Sequence, residues 1–272
     1  MKVEDLFSVS GLATVVTGGA SGIGRACAEA MADNGARVTL LDADKDALAE
    51  ALAAMQARGG DVRGAVVDVT DRAALRRAFD EAAQHYGRLD VVFANAGMSG
   101  GPGFLNQDRT RNAARALEEI DDKLIDRLIE VNYKSVLTTI QASARHMKKS
   151  GGGSIVVTST ISTFRPEIFV GLPYVVSKAG LRQLVRQSAV ELAAYNIRVN
   201  AMAPGPFVTN IGGGRLQDPA TQEFFAQFSP MRRMGRPDDI QGLALFLASS
   251  ASSYITGEQI VIDGGTTLGA AD

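Results

Sequence analysis

Seven short, uninterrupted apolar runs recur almost from end to end of the chain, at residues 13–17, 38–41, 62–67, 91–94, 155–158, 197–203 and 259–262. They are rich in β-branched residues and leucine, continuous and short. Strands covered on both faces read this way, and parallel sheets are covered on both faces because helices must cross over them. Amphipathic stretches fill the intervals. Residues 23–34 end at Gly35 and residues 44–58 end at Gly59-Gly60, glycines suited to left-handed helix caps. The pattern predicts an α/β fold: one Rossmann-like, doubly wound parallel sheet of about seven strands with helices on both faces. No linker divides the 272 residues, so a single domain over 1–272 is expected.

Two stretches break the rhythm. Residues 98–116 lengthen the connection after the fourth strand and pass through Ser99-Gly-Gly-Pro-Gly103 and Asp108-Arg-Thr-Arg111 before a helical pattern begins near Leu117. Residues 206–235 follow the sixth strand with little strand signal, carrying Gly212-Gly-Gly214 and then Phe224-Phe225-x-x-Phe228. Both leave the C-terminal edge of a strand, where open α/β sheets bind ligands. The second is expected to be a substrate lid hinged on its glycines.

A net charge of −2 with no long basic run argues against nucleic-acid or anionic-membrane binding. No apolar stretch is long enough to span a bilayer, and the N-terminus lacks a signal peptide's apolar core, so a cytoplasmic location is expected. The single cysteine, Cys27, cannot form an internal disulfide and falls in the first long helix, where a small buried hydrophobe is expected. His85 and His146 have no partners at metal-ligand spacing, and no metal is expected.

The chemistry concentrates in two places. Gly18, Gly22 and Gly24 sit where a strand turns into a helix, with Ser21 and Ile23 between them. Glycine permits the sharp turn and the close approach of backbone to a pyrophosphate at a helix N-terminus. Asp42 closes the second strand, where a carboxylate can accept from the adenosine ribose hydroxyls and repel a 2′-phosphate. With no cation in the turn and Ala43 after Asp42, NAD is favoured over NADP. The second place is Tyr174-Val-Val-Ser-Lys178. A four-residue spacing stacks phenol and ammonium on one helix face, and a nearby cation favours the phenolate. A proton acceptor beside a dinucleotide site indicates hydride chemistry on an alcohol or a carbonyl.

These motifs resemble those of the short-chain dehydrogenase/reductase family. The resemblance spans nearly the whole chain and extends to Asp68-Val69, Asn95-Ala96-Gly97, Asn132, Pro204-Gly205 through Val208-Thr209, Gly235-Arg-Pro-Asp-Asp-Ile240, Thr256-Gly257 and Asp263-Gly264-Gly265. It implies that Tyr174 is the general acid/base and that Lys178 binds the nicotinamide ribose and lowers the phenol pKa. It also implies that Asn132 fixes a water on the proton path, that Asp68 and Val69 flank the adenine, and that Asn95, Ala96 and Gly97 lie in the adenosine ribose region. Val208 and Thr209, after Pro204 and Gly205, would hold the carboxamide. A homotetramer, or failing that a homodimer, is implied as well.

The chain departs from the family where a substrate-orienting serine is expected, because the run here is Ile155-Val-Val-Thr-Ser-Thr160. Register puts Thr160 in that position, with Ser159 and Ser162 as alternatives; threonine keeps the hydroxyl and adds a methyl. In this family the loop after the fifth strand lines the substrate pocket, which brings Arg165 and Glu167 toward substrate. Phe164, Phe169 and Phe207 are candidate apolar walls. Arg109, Arg111 and Arg115 offer an anion site, with a solvated face as the favoured reading. The expected activity is an NAD-dependent alcohol dehydrogenase or carbonyl reductase acting on a small molecule. An NADP-linked reductase and a non-catalytic NAD-sensing protein on the same fold are the alternatives.

Overall fold

The computed structural model describes residues 2–269. Seven strands form one parallel sheet: β1 (Ala13–Thr17), β2 (Arg37–Asp42), β3 (Val62–Val66), β4 (Val91–Ala94), β5 (Gly153–Thr158), β6 (Ile197–Pro204) and β7 (Gln259–Ile262). Their spatial order is β3-β2-β1-β4-β5-β6-β7, with every neighbouring pair parallel. The chain winds outward from β1 through β2 to β3, then returns to place β4 on the other side of β1. That reversal opens a crevice between the C-terminal ends of β1 and β4.

After the short α1 (Val3–Leu6), the helices are α2 (Gly22–Asp33), α3 (Lys45–Ala57), α4 (Arg72–Tyr86), α5 (Asp122–Ile129), α6 (Ser135–Ser150), α7 (Leu172–Leu192), α8 (Pro219–Ala226) and α9 (Gln241–Ala248). Alternate strand residues feed two cores. Val15, Ile155 and Val157 pack with Phe79 of α4, Ile140 of α6 and Leu181 of α7. Val16 and Val156 face the other way, with Met31 of α2, Met55 of α3 and Leu247 of α9. Cys27 is fully buried in this second layer, and burial pushes its thiol up to about 12. The edge strands are less covered than their composition implies, and Val66 of β3 is exposed.

The helix expected from Leu117 begins later. Leu117–Glu119 is an isolated 3₁₀ turn, and α5 starts at Asp122, where the Asp121 carboxylate accepts from the Lys123 amide at 3.0 Å. The helical course is then interrupted by a π-helical turn at Glu130–Lys134 before α6 continues it. Such turns insert one residue into the helical repeat and re-aim the side chains around them. Asn132 lies in this one.

Candidate active site

A cavity of about 900 Å³ opens at the C-terminal edge of the sheet, spanning the β1/β4 crevice and the loops after β5 and β6. Its size is at the upper end of the range for small-molecule sites, roughly 300–1,000 Å³.

One end is the glycine turn. Gly18 and Gly22 have φ of 63° and 53°, the left-handed region where a side chain is strained. Both line the cavity with Ser21 and Ile23. Gly24 does not; it is a packing glycine, since a Cβ there would lie 2.0 Å from the Gly18 carbonyl oxygen. The N-terminus of α2 carries no acidic side chain in its first turn and no side-chain cap. Its free N–H groups and dipole therefore suit a pyrophosphate.

Asn95 holds this turn from β4. Its Nδ2 donates to the carbonyl oxygens of Thr17 and Gly18 at 3.2 and 3.0 Å, and its Oδ1 accepts from Thr158 Oγ1 at 3.0 Å. The side chain is thus engaged in bracing the turn, while Ala96 and Gly97 line the cavity wall. Asp42 lines the cavity too, its two oxygens accepting from the amides of Ala20 and Asp44, each at 3.0 Å. Asp68 and Val69 lie beside it, and Arg127 approaches the Asp68 carboxylate at 3.4 Å.

The other end gathers Thr160, Tyr174 and Lys178 with Ser159 and Ser162. Tyr174 and Lys178 share one face of α7. Burial raises the Tyr174 phenol above its ordinary range; the Thr160 side chain opposes the rise, and the Glu167 charge adds to it. Buried Lys178 donates to the Thr158 carbonyl oxygen at 2.8 Å, and desolvation lowers its ammonium from 10.5 to about 8. Thr160 caps the 3₁₀ turn Ile161–Thr163, with its Oγ1 3.2 Å from Ser162 Oγ. Ser159 Oγ is buried without a hydrogen-bond partner among the described residues.

Asn132 sits behind this group. Its Oδ1 accepts from the Met98 amide at 2.8 Å; its Nδ2 donates to the Met98 carbonyl and to Ser177 Oγ, both at 3.0 Å. Both amide hydrogens are engaged, so the side chain can hold a water only through the remaining Oδ1 lone pair.

Several sequence expectations are corrected. Val208 is not in the cavity wall, and its amide N–H donates to the Gly235 carbonyl at 2.8 Å. Phe207, one residue earlier, does line it. Because the parallel bridge to Gly235 uses the Pro206 carbonyl and the Val208 amide, the main-chain N–H and C=O of Phe207 point to the opposite edge. Thr209 also lines the cavity and lies close to Gly22. Phe164 is turned outward under Arg182, 4.9 Å from its ring centroid, whereas Phe169 faces the cavity. Of the segment 98–116, Arg111 covers the Phe104 ring and Arg115 packs on Gly101, so neither lines the site. Met98, Ser99 and Gly101 at the start of that segment do line the cavity, and Gln107 Nε2 donates to Thr221 Oγ1 of α8 at 3.4 Å. Phe225 and Phe228 are lining residues that the aromatic motif flagged without placing; Phe228 packs 5.7 Å from Phe169 between ring centroids.

Comparison with known proteins fits this geometry. A family model described as enoyl-(acyl carrier protein) reductase matches residues 18–267. The chain is 35% identical over 252 residues to rabbit (Oryctolagus cuniculus) dehydrogenase/reductase SDR family member 4, covering 92% of each protein. A 7α-hydroxysteroid dehydrogenase solved with NADH and 7-oxo glycochenodeoxycholic acid superposes with a TM-score of 0.86 at 30% identity, covering 100% of this chain and 99% of that one. A gluconate 5-dehydrogenase from Burkholderia cenocepacia J2315, solved with NADP and tartrate, gives 0.86 at 29%, covering 98% and 99%.

Proposed function

The chain belongs to the short-chain dehydrogenase/reductase family and is an oxidoreductase; from that premise we propose that it is NAD(H)-dependent and interconverts a secondary alcohol and a ketone. The convergence of Thr160, Tyr174 and Lys178 in one cavity with the glycine turn and Asp42 carries this reading.

The nicotinamide cofactor, when bound, supplies or accepts the hydride. The residues of the chain do the rest. Gly18, Ser21, Gly22, Ile23 and the N–H groups opening α2 receive the pyrophosphate. Asp42 accepts from the adenosine ribose, and Asp68 and Val69 border the adenine. Pro204, Gly205, Phe207 and Thr209 border the carboxamide end, with the Phe207 main chain offering one donor and one acceptor. At the substrate, Thr160 Oγ1 orients the reacting oxygen, and Tyr174 takes its proton in oxidation and returns it in reduction. Lys178 supplies positive charge beside the proton path. Asn132 is a positioning residue, fixing the Met98 backbone and, through Ser177, the face of α7 that carries Tyr174.

Residues 206–235 form a lid. Gly212, Gly213 and Gly214 all have φ between 73° and 82°, and the segment beyond them lays Phe225 and Phe228 over the cavity. The assembly is a homotetramer or a homodimer. Val176 and Val190 on α7 are 51% and 77% exposed, an apolar cost that pairing removes. Among the described residues no helix is long and apolar enough to cross a membrane.

Incubating the protein with NAD and secondary alcohols, and with NADH and the matching ketones, tests the reading through NADH absorbance. Turnover in either direction supports it. NADH binding without turnover across a broad panel favours a nucleotide-binding protein without catalysis.

A further inference from the structure

Among the described residues seven charged side chains line the cavity, and all but one have a partner. Arg127 meets Asp68, and Lys178 meets the Thr158 carbonyl. Asp42 accepts two backbone amides. Arg165 is held twice, by Glu167 Oε1 at 3.2 Å and by the Thr266 carbonyl at 2.8 Å. Arg215 is the exception. Half-buried in the cavity wall, its guanidinium has neither carboxylate nor carbonyl partner among the described residues. Burial alone acts on it, lowering its pKa. A partly desolvated cation without a counter-charge is costly, and an anionic ligand offsets that cost.

The surroundings indicate which ligand. Arg215 opens the 3₁₀ turn Arg215–Gln217, directly after the glycine hinge. Gly212 in that hinge lies against Ser99, and neighbouring Gly100 packs on Tyr174. The hinge therefore stands on the proton-transfer side of the cavity. Beyond Arg215, α8 and the turn after it bring Phe225 and Phe228 into the wall with Phe169. Glu167 supplies negative charge near Tyr174, so an anion is disfavoured there and drawn to the lid.

We propose that Arg215 binds an anionic group, a carboxylate or an equivalent oxyanion, on a substrate whose apolar body lies against Phe169, Phe225 and Phe228 and whose reacting carbon is remote from the charge. This inference rests on the oxidoreductase reading above. The substrate class is a hydroxy or oxo acid with a bulky hydrocarbon frame. The cofactor pyrophosphate shares the oxyanion chemistry, and the test separates the two.

The probes are 4-oxocyclohexanecarboxylate, its longer butanoate homologue and their methyl esters, reduced with NADH by the unaltered protein, Arg215→Gln and Arg215→Lys. A charge-assisted contact predicts that the better acid exceeds its ester in kcat/KM by roughly 10- to 100-fold. In Arg215→Gln that ratio should fall to near one, and in Arg215→Lys it should partly return. Equal acid and ester in the unaltered protein at both lengths overturns the proposal. So does a loss in Arg215→Gln that is equal for acid and ester and is matched by weaker NADH binding, which assigns the cation to the pyrophosphate. If no ketone is reduced, calorimetry of cyclohexanecarboxylate and cyclohexanebutanoate with the NADH-loaded protein decides. Binding that Arg215→Gln abolishes retains the anion site while sinking the hydride reading; binding that is absent, or indifferent to the substitution, sinks the anion site.

Discussion

The Lys178 ammonium donates to the carbonyl oxygen of Thr158 at 2.8 Å, tying the helix that carries Tyr174 to the end of β5. One buried cation thus joins two elements of the active site. The same burial that makes this contact strong also penalises the charge.

Replacement of Lys178 by methionine should therefore separate activity from stability. Its folded-state value is about 8 against an ordinary 10.5, so between those limits the unfolded chain binds more protons than the native protein. Stability of the unaltered protein should climb as pH rises through that window, and the penalty should be fully present below it. Lys178→Met should remove the climb and, at neutral pH, raise unfolding stability by about 1–3 kcal/mol, less the lost hydrogen bond. Turnover should fall by roughly 10²-fold or more. Urea unfolding across pH, beside NADH-linked assays, measures both; a variant less stable than the parent at neutral pH would show that the contact outweighs the desolvation.

The Thr160 side chain acts to lower the Tyr174 phenol against its burial, Ser162 Oγ lies 3.2 Å from Thr160 Oγ1, and Ser159 Oγ has no hydrogen-bond partner among the described residues. Thr160→Val keeps the shape and removes the hydroxyl, and kcat should drop on the order of 10²-fold. Thr160→Ser should retain most activity. Ser159→Ala and Ser162→Ala should be mild, with NADH affinity steady in all four. Near-normal turnover in Thr160→Val beside an inactive serine variant would transfer the role to that serine.

Asp42 faces the cavity with both oxygens already oriented by backbone amides. Asp42→Ala combined with Ala43→Arg should shift preference from NAD toward NADP, since a repelling carboxylate is exchanged for a phosphate partner. Fluorescence titration with NADH and NADPH reads the change. Tighter NADPH than NADH binding by the unaltered protein would defeat the premise.

Much of this site was legible because strand composition and glycine placement are local properties. β1, β4 and β7 have the bounds their apolar runs predict, and Gly18, Asp42, Tyr174 and Lys178 fall at strand ends or on a helix face that a sequence period reveals. The errors arose where contacts are non-local. Val208 and Phe207 are adjacent, and only pairing with Gly235, nearly thirty residues on, decides which of them faces the cavity. The interruption before α6 has no sequence signal either: the pattern around Asn132 is helical, and the partners of its side chain, Met98 and Ser177 of α7, lie far along the chain. Arg215 carried no motif. Its significance lies in the lack of a partner, which sequence spacing does not encode.

Glu167 offers a pH test of the proton partner. Its carboxyl is itself raised by burial, with Arg165 opposing the shift, and its charge raises the Tyr174 phenol. Oxidation needs the phenolate, so its rate should increase with pH, and carbonyl reduction, which needs the phenol, should decline over the same range. Glu167→Gln removes a negative charge near Tyr174 and releases Arg165 from its counter-charge; both effects favour the phenolate. The ascending limb of oxidation should therefore move to lower pH, and the descending limb of reduction should move with it. Profiles of kcat/KM in both directions, for parent and variant, make the comparison. Limbs that move toward higher pH, or that do not move while the variant remains folded and binds NADH, would show that the titrating group is not a phenol within reach of Glu167.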